Sequence, residues 1–385
     1  MRGAGTGLAL TVVCTSAACT LLTHAEDYAV GPLAPDTRLC AACPQAPQLT
    51  HPPCPATDVS PSDDPSVRFY VTKTIDLGSH PSEWGTTFFH AGFNLDCSSR
   101  PDGTPPCTPF GPTPQTWAPL ANGIDNAFAT QVLSPLLAPP ISIDVEQSVN
   151  AGLTSGTWAW ILAIDHWNGA ADDSQVGVRV LQAEGPSAGG APTWSSDETW
   201  IAYADGWDAA FATDTLPDTT FKTDDAYVTQ GTLVWDMRAL GLQTLDLQTP
   251  AVTSGSAILP LPIEPVGLFG QLSEDALDPA SFGGLLQNEI LVFGVLDVAS
   301  VKSGACDPGL ACQVAGQLTN SIASAVDTVS LSTPGASFCN RISFGADPYF
   351  VRIGGVSGLA PTTSEPMSCD VEQMLMCAAA DAGTD

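Results

Sequence analysis

A chain of 385 residues in which 44% are apolar is long enough to bury a sizeable core and too apolar to stay globally unfolded. Its 41 acidic residues face only 11 basic ones, a formal net charge of −30. That balance excludes the basic stripe a nucleic-acid binder needs, and it favours solubility and small cations as partners.

The chain opens Met1-Arg2-Gly3, continues through an apolar run from Leu8 to Cys14, and exits in small residues. Charged end, greasy core and small-residue exit are the parts of a signal peptide. The apolar run is shorter than the ~20 residues of a membrane span. Two processing routes compete. Ser16-Ala17-Ala18-Cys19 resembles a lipobox, which would leave Cys19 lipidated; Thr23-His24-Ala25 would support ordinary cleavage after residue 25. Without residues 1–25 the chain keeps 10 basic and 41 acidic residues, a charge of −31.

Residues 26–66 hold nine prolines and little apolar periodicity, and read as a Pro/Cys-rich tether. The spacing Cys40-x2-Cys43-x7-His51-x2-Cys54 suits either zinc or disulfides, and an oxidising compartment favours the disulfides. A globular body is expected over 67–356, followed by a Cys-containing tail over 357–385. Alternation from Val67 to Ile75 predicts a strand. Helical spacing marks 124–137. A second short helix follows over 144–153, with Asp144 as its N-cap and Gly156 just past its end. Strands are then expected at 157–165, 175–182, 199–204, 226–235, 242–247, 256–263 and 266–272, a helix at 315–326 and a last strand at 349–353. This strand-and-turn spacing suggests a sandwich or barrel rather than βαβ units. The architecture expected is a single mainly-β domain, β-sandwich or jelly-roll-like, with a few short helices.

Apart from Cys14 and Cys19, ten of the twelve cysteines remain, an even number as a disulfide set requires. Five precede residue 110 and five follow residue 300, so full pairing needs at least one bridge between the two ends of the chain. Cys97–Cys107 and Cys306–Cys312 each close a short loop and are the expected local pairs.

The catalytic signatures of the common hydrolase and nucleotide-binding classes do not stand out. Gly355-Val356-Ser357-Gly358 lacks the last glycine of a nucleophile elbow, and neither a H-E-x-x-H motif nor a P-loop occurs. Glu198 beside Trp200 is the least implausible acid for a glycosidase, and a strand-edge surface residue is the plainer reading. Two polar constellations remain. Asn94, Asp96, Asp125 and Asn126 are oxygen-bearing residues near glycines, the donor type calcium takes; as turn formers and helix caps they would need no metal. Asp165, Trp167, Trp207 and Asp208 lie in turn-like stretches where an exposed indole and a carboxylate would suit a sugar ring, whereas buried indoles would simply be core. Trp158 and Trp160 alternate onto one strand face and read as core.

Phe93-Asn94-Leu95-Asp96, Gly123-Ile124-Asp125-Asn126 and the stretch from Ile164 to Val176 together resemble an uncharacterised exported family common in myxobacteria, as do Ala226-Tyr227-Val228 and Phe338 to Ser343. The resemblance covers roughly 67–356. It implies an envelope or extracellular location, often as a lipoprotein, and a single β-rich domain. It lends no catalytic residue. The resulting expectation is an exported binding or structural protein, with calcium as a possible ligand and a surface glycan or another envelope protein as partner. A secreted hydrolase is the alternative from another class.

Overall fold

The computed structural model describes residues 66–79, 126–137, 139, 144–203, 222–237, 245–250, 258–287, 339 and 341–360. Among these residues, eleven strands form one sheet. They are β1 (Arg68–Asp76), β2 (Ala159–Asp165), β3 (Asp173–Pro186), β4 (Thr199–Tyr203), β5 (Lys222–Thr229), β6 (Thr232–Asp236), β7 (Leu245–Pro250), β8 (Ile258–Leu272), β9 (Ala276–Gln287), β10 (Arg341–Ile353) and β11 (Gly355–Ala360). A helix α1 begins with a π-helical stretch (Phe128–Leu133) and runs into an α-helical turn (Ser134–Leu137). Helix α2 spans Val145–Ser155.

The expected sandwich is not what forms. Strands β3-β2-β1-β10-β9-β8-β6-β5 are hydrogen-bonded in that order, and β5 pairs back onto β3, closing an antiparallel barrel of eight strands. The closing contact is made by the first half of β3, with Asp173 opposite Val228 and Val176 opposite Ala226. The second half of β3 pairs with β4 instead, through Ala183 and Pro186. A 14-residue strand thus serves both the barrel and the β4–β11 extension. Alternation marks which residues face a core but does not reveal whether the sheet closes on itself, so sandwich and barrel look alike in sequence.

Registers identify the inward face. Tyr70 lies opposite Leu162, Leu162 opposite Val180, and Leu268 opposite both Trp235 and Phe282. These residues point into the lumen, where Leu162, Val180, Leu268 and Phe282 line a cavity of about 10 Å³ with Trp160, Met237 and Phe350. Eight strands make a barrel just wide enough for its own side chains to fill. A row of aromatic contacts runs through this core: Trp158 to Trp160 (6.1 Å), Trp160 to Phe282 (5.6 Å), Phe282 to Phe344 (6.0 Å) and Phe344 to Phe128 of α1 (5.5 Å).

The outer wall is partly covered as well. Every residue of β2 is buried. β11 runs parallel to β4, and Gly355 packs against the ring of Phe69 on the outward side of β1. Helix α2 is set as the sequence predicts. Asp144 accepts a hydrogen bond from the Gln147 amide at 2.8 Å, and Gly156 ends the helix in the left-handed conformation at φ 73°. A side chain at Gly156 would also meet Pro186 and Pro192 within 2.9 Å. Val149 and Leu153 are buried, and Asn150 holds both the amide and the carbonyl of Ile75, at 2.9 and 2.8 Å. The Asn150 amide thus completes the end of β1 as a neighbouring strand would.

Candidate functional site

Two residues singled out by sequence, Asp165 and Trp167, come together at one end of the barrel. This end is built from the β2–β3, β5–β6 and β8–β9 turns, the start of β1 and the end of β10. The turns are tied to one another. Gln230 donates its amide to Asp172 Oδ1 at 2.8 Å, Gly231 to the Ala171 carbonyl at 2.7 Å, and Leu272 to the Gly231 carbonyl at 2.8 Å.

At its centre stands Arg68, 7% exposed, on the inward register of β1. Its guanidinium lies 4.8 Å from the centre of the Trp167 ring, and Nη1 donates to the Trp167 carbonyl at 2.6 Å. Its Nε donates to Glu274 Oε2 at 3.2 Å, and Arg352 Nη1 donates to the same oxygen at 2.9 Å. One carboxylate oxygen therefore bridges two arginines. Partial burial works against ionisation of Glu274, but the hydrogen bonds and charges of Arg68 and Arg352 outweigh it and lower its pKa. Tyr70 donates its hydroxyl to the Ser273 carbonyl at 2.8 Å, and its pKa is raised to about 12, chiefly by burial, with Arg352 opposing.

Beside this cluster, Asp165 is 2% exposed. Its Oδ2 accepts from Arg179 Nη1 at 2.9 Å and lies 3.3 Å from Nδ1 of His166. Its Oδ1 occupies the space over Gly177, only 1.6 Å from where a side-chain carbon would stand. His166 is half exposed and has a left-handed backbone at φ 59°. This carboxylate–imidazole pair stands at the surface, whereas the cavity lies inside the barrel and is lined only by apolar residues. A hydrolytic site needs its acid, base and substrate cleft in one place, and this pair does not line that cavity.

Trp167 is 3% exposed, with Arg68 against one ring face and its indole N–H donated to the Ala170 carbonyl at 3.0 Å. A sugar would find no open ring face there. Trp158 and Trp160 are core, as expected. Trp207 and Asp208 lie outside the described residues, as do Asn94, Asp96, Asp125, Cys19 and the pairs Cys97–Cys107 and Cys306–Cys312. Asn126 is described, and it acts as a helix cap. Its Oδ1 accepts from the Ala129 amide at 3.2 Å and its Nδ2 donates to the Gly345 carbonyl at 3.1 Å, while the Ala127 amide donates to Ser343 Oγ at 2.8 Å. Among the described residues no three His, Cys, Asp or Glu side chains converge as a metal site would require. Cys339, one of the ten cysteines counted above, is wholly buried and disulfide-bonded.

The sequence alone does not single out Arg68, Glu274 and Arg352. The available signal is Arg68 itself: a charge two residues before Tyr70, on the face of β1 that alternation assigns to the core. Glu274 and Arg352 meet it from distant turns, with Arg68 and Glu274 separated by 206 positions.

No family model matches this chain, and no match is found among curated proteins or solved structures.

Proposed function

We propose that this protein is exported and serves as a non-catalytic binding or structural barrel, with its recognition surface on the outer wall and the ends rather than in the lumen. The observation that carries this reading is how closely the described residues fill the interior. Its cavity of about 10 Å³, lined by Trp160, Phe282, Phe350 and their neighbours, is at the lower limit for a single water. Small-molecule carriers of this architecture enclose several hundred Å³. Membrane-spanning barrels carry polar residues inside and an apolar band outside, and here the lumen is the apolar side. Asp165 and Trp167 are both committed to internal contacts. That favours another envelope protein over a stacking sugar as the partner.

The test is a titration of the full chain with a fluorescent fatty acid, read through the tryptophans that line the lumen. The reading expects no saturable quenching at micromolar ligand; one-to-one quenching that Phe282→Ala alters would overturn it. Export is checked by the intact mass of protein recovered from its native host. That mass should correspond to a chain starting at Glu26 or at an acylated Cys19, and an unprocessed Met1 start would refute it. Calcium, proposed as a loop-fixing ligand, should raise the melting temperature after EDTA treatment where magnesium does not. An unchanged melting temperature would remove calcium from the proposal.

A further inference from the structure

A second cluster of ionisable groups lies in the barrel wall where β1 ends, away from the arginine cluster. Asp76, the last residue of β1, is the register partner of Asp347 on β10. Directly opposite positions on antiparallel strands bring side chains within about 5 Å, and like charges there repel. From β9, Ser281 donates its hydroxyl to Asp347 Oδ1 at 3.0 Å, and the charge of Asp278 also acts on Asp347. From α2, the carboxylate of Glu146 acts on Asp76. Glu146 is 9% exposed and holds the end of β1 by accepting from the Leu77 amide at 3.1 Å, the Ser79 amide at 3.2 Å and Ser79 Oγ at 2.8 Å. The cation on this stretch of β1, Lys73, places its ammonium over the rings of Trp194 and Tyr349, at 5.8 and 5.9 Å.

We propose that Asp76, Asp278 and Asp347, with Glu146 behind Asp76, form a proton-operated seam joining α2, β1, β10 and β9, closed while Asp347 is protonated and loosened when it ionises. A protonated Asp347 can stand beside Asp76 as a neutral hydrogen-bonding group. An ionised one is a second negative charge, half-buried, facing the half-buried Asp76. Burial comes first among the causes that push the Asp347 pKa up, to about 8, with Asp76 and Asp278 adding to it and the Ser281 hydrogen bond opposing. Glu146 is shifted in the same direction, by burial first and then by Asp76. Since the folded state holds these protons more tightly than the unfolded chain, the stability they give is fully present below the unfolded aspartate value, near pH 4. It is lost progressively as pH rises to about 8. Opening of the seam within the folded protein is centred at the upper end of that window, a range an exported protein can meet.

The experiment is a series of thermal melts of the full chain between pH 5 and pH 9, with amide hydrogen exchange at residues 75–77 and 347–349. The wild-type melting temperature is expected to fall by several degrees between pH 5 and pH 8. Exchange at those two segments, corrected for the intrinsic pH effect, should rise near pH 8 ahead of the other strands. Asp347→Asn should flatten the melting curve over the same window. Asp76→Asn should move the exchange midpoint down by about one unit, since a like charge is removed. A folded Asp347→Asn protein with the wild-type slope would overturn the proposal. If Asp347→Asn does not fold, the Asp76→Asn midpoint decides, and an unmoved midpoint refutes the seam.

Discussion

The arginine end and the aspartate seam meet the same problem, charge drawn partly out of water, in opposite ways. At the arginine end a buried guanidinium is surrounded by acceptors: the Trp167 carbonyl, the Glu274 carboxylate and the face of an indole. The charge is kept and partnered. At the seam, Asp76 faces Asp347 across neighbouring strands, and in the proposed closed form Asp347 avoids the charge by holding a proton. The shifts follow: Glu274 is lowered by its arginines, whereas Asp347 and Glu146 are raised by burial and by each other's neighbours. In a chain with 41 acidic residues against 11 basic ones, few carboxylates can be given an arginine. Asp347, half-buried and opposite Asp76, is a natural place for a proton.

The sharpest way to break the arginine side of this comparison is Gly177→Ala. The new methyl would stand 1.6 Å from Asp165 Oδ1 and must push the carboxylate off Arg179. Separating one partner of a buried ion pair typically costs about 3–5 kcal/mol. Denaturant unfolding should show a loss of that order, and Gly177→Ser should be at least as damaging. A loss under about 1 kcal/mol would mean that Asp165 has another low-energy place to go.

Next in size is Arg68→Met, which keeps the volume and removes the charge. It leaves the Trp167 carbonyl without its donor and Glu274 with one arginine instead of two. About 2–3 kcal/mol should be lost, close to the cost of leaving a buried acceptor unsatisfied. The smaller partner change, Glu274→Gln, should cost about 1 kcal/mol or less, because the carboxylate is more than half exposed and screened by solvent. Comparing the two separates the guanidinium's packing from its pairing.

Acid and base should also tell the regions apart. Glu274, lowered in the fold, contributes stability that is present above its unfolded value near pH 4.3 and is lost as pH falls through its folded value. The seam works in reverse, losing stability from about pH 4 up to about pH 8. Glu274→Gln should therefore flatten the melting curve only on the acid side, below about pH 4.5, and leave the neutral range unchanged. A Glu274→Gln protein with an altered slope between pH 5 and pH 8 would show that the two regions are coupled and not separate.

How much of this is written locally in the sequence can be followed residue by residue. β1 and β2 are legible because β-branched and aromatic residues alternate or cluster between turn formers. The start and stop of α2 are legible because Asp144 and Gly156 perform local tasks that only a few residue types can. β9 is not legible: Pro279 and Gly283-Gly284 break the usual strand signal, and only pairing with both β8 and β10 holds them extended. β5 and β6 read as one strand because Gln230-Gly231 is a two-residue turn inside an otherwise continuous pattern. Closure itself depends on Val176 meeting Ala226 across the gap between β3 and β5, which no local pattern records. The site divides the same way. Asp165 and Trp167 stand out in sequence as polar and aromatic residues in a turn, but their partners do not: Asp165 turns outward to Arg179, 14 positions on in β3, and Trp167 meets Arg68, 99 positions back in β1.

The smallest effect offers the finest test of the comparison. Asp144→Ala removes the N-cap of α2, the hydrogen bond to the Gln147 amide, and should cost about 1 kcal/mol. Asp144 lies two residues before Glu146, the carboxylate that ties α2 to Leu77 and Ser79. If the cap only stabilises the helix, the loss should be the same at pH 5 and pH 8, and the melting curves of mutant and wild type should run parallel. If fraying of the first turn also moves Glu146, the carboxylate loses its amide donors and part of its burial, and the curves should converge toward pH 8, where the seam is already loosened. Parallel curves would place the boundary of the seam at β1, whereas convergence would extend it into the helix.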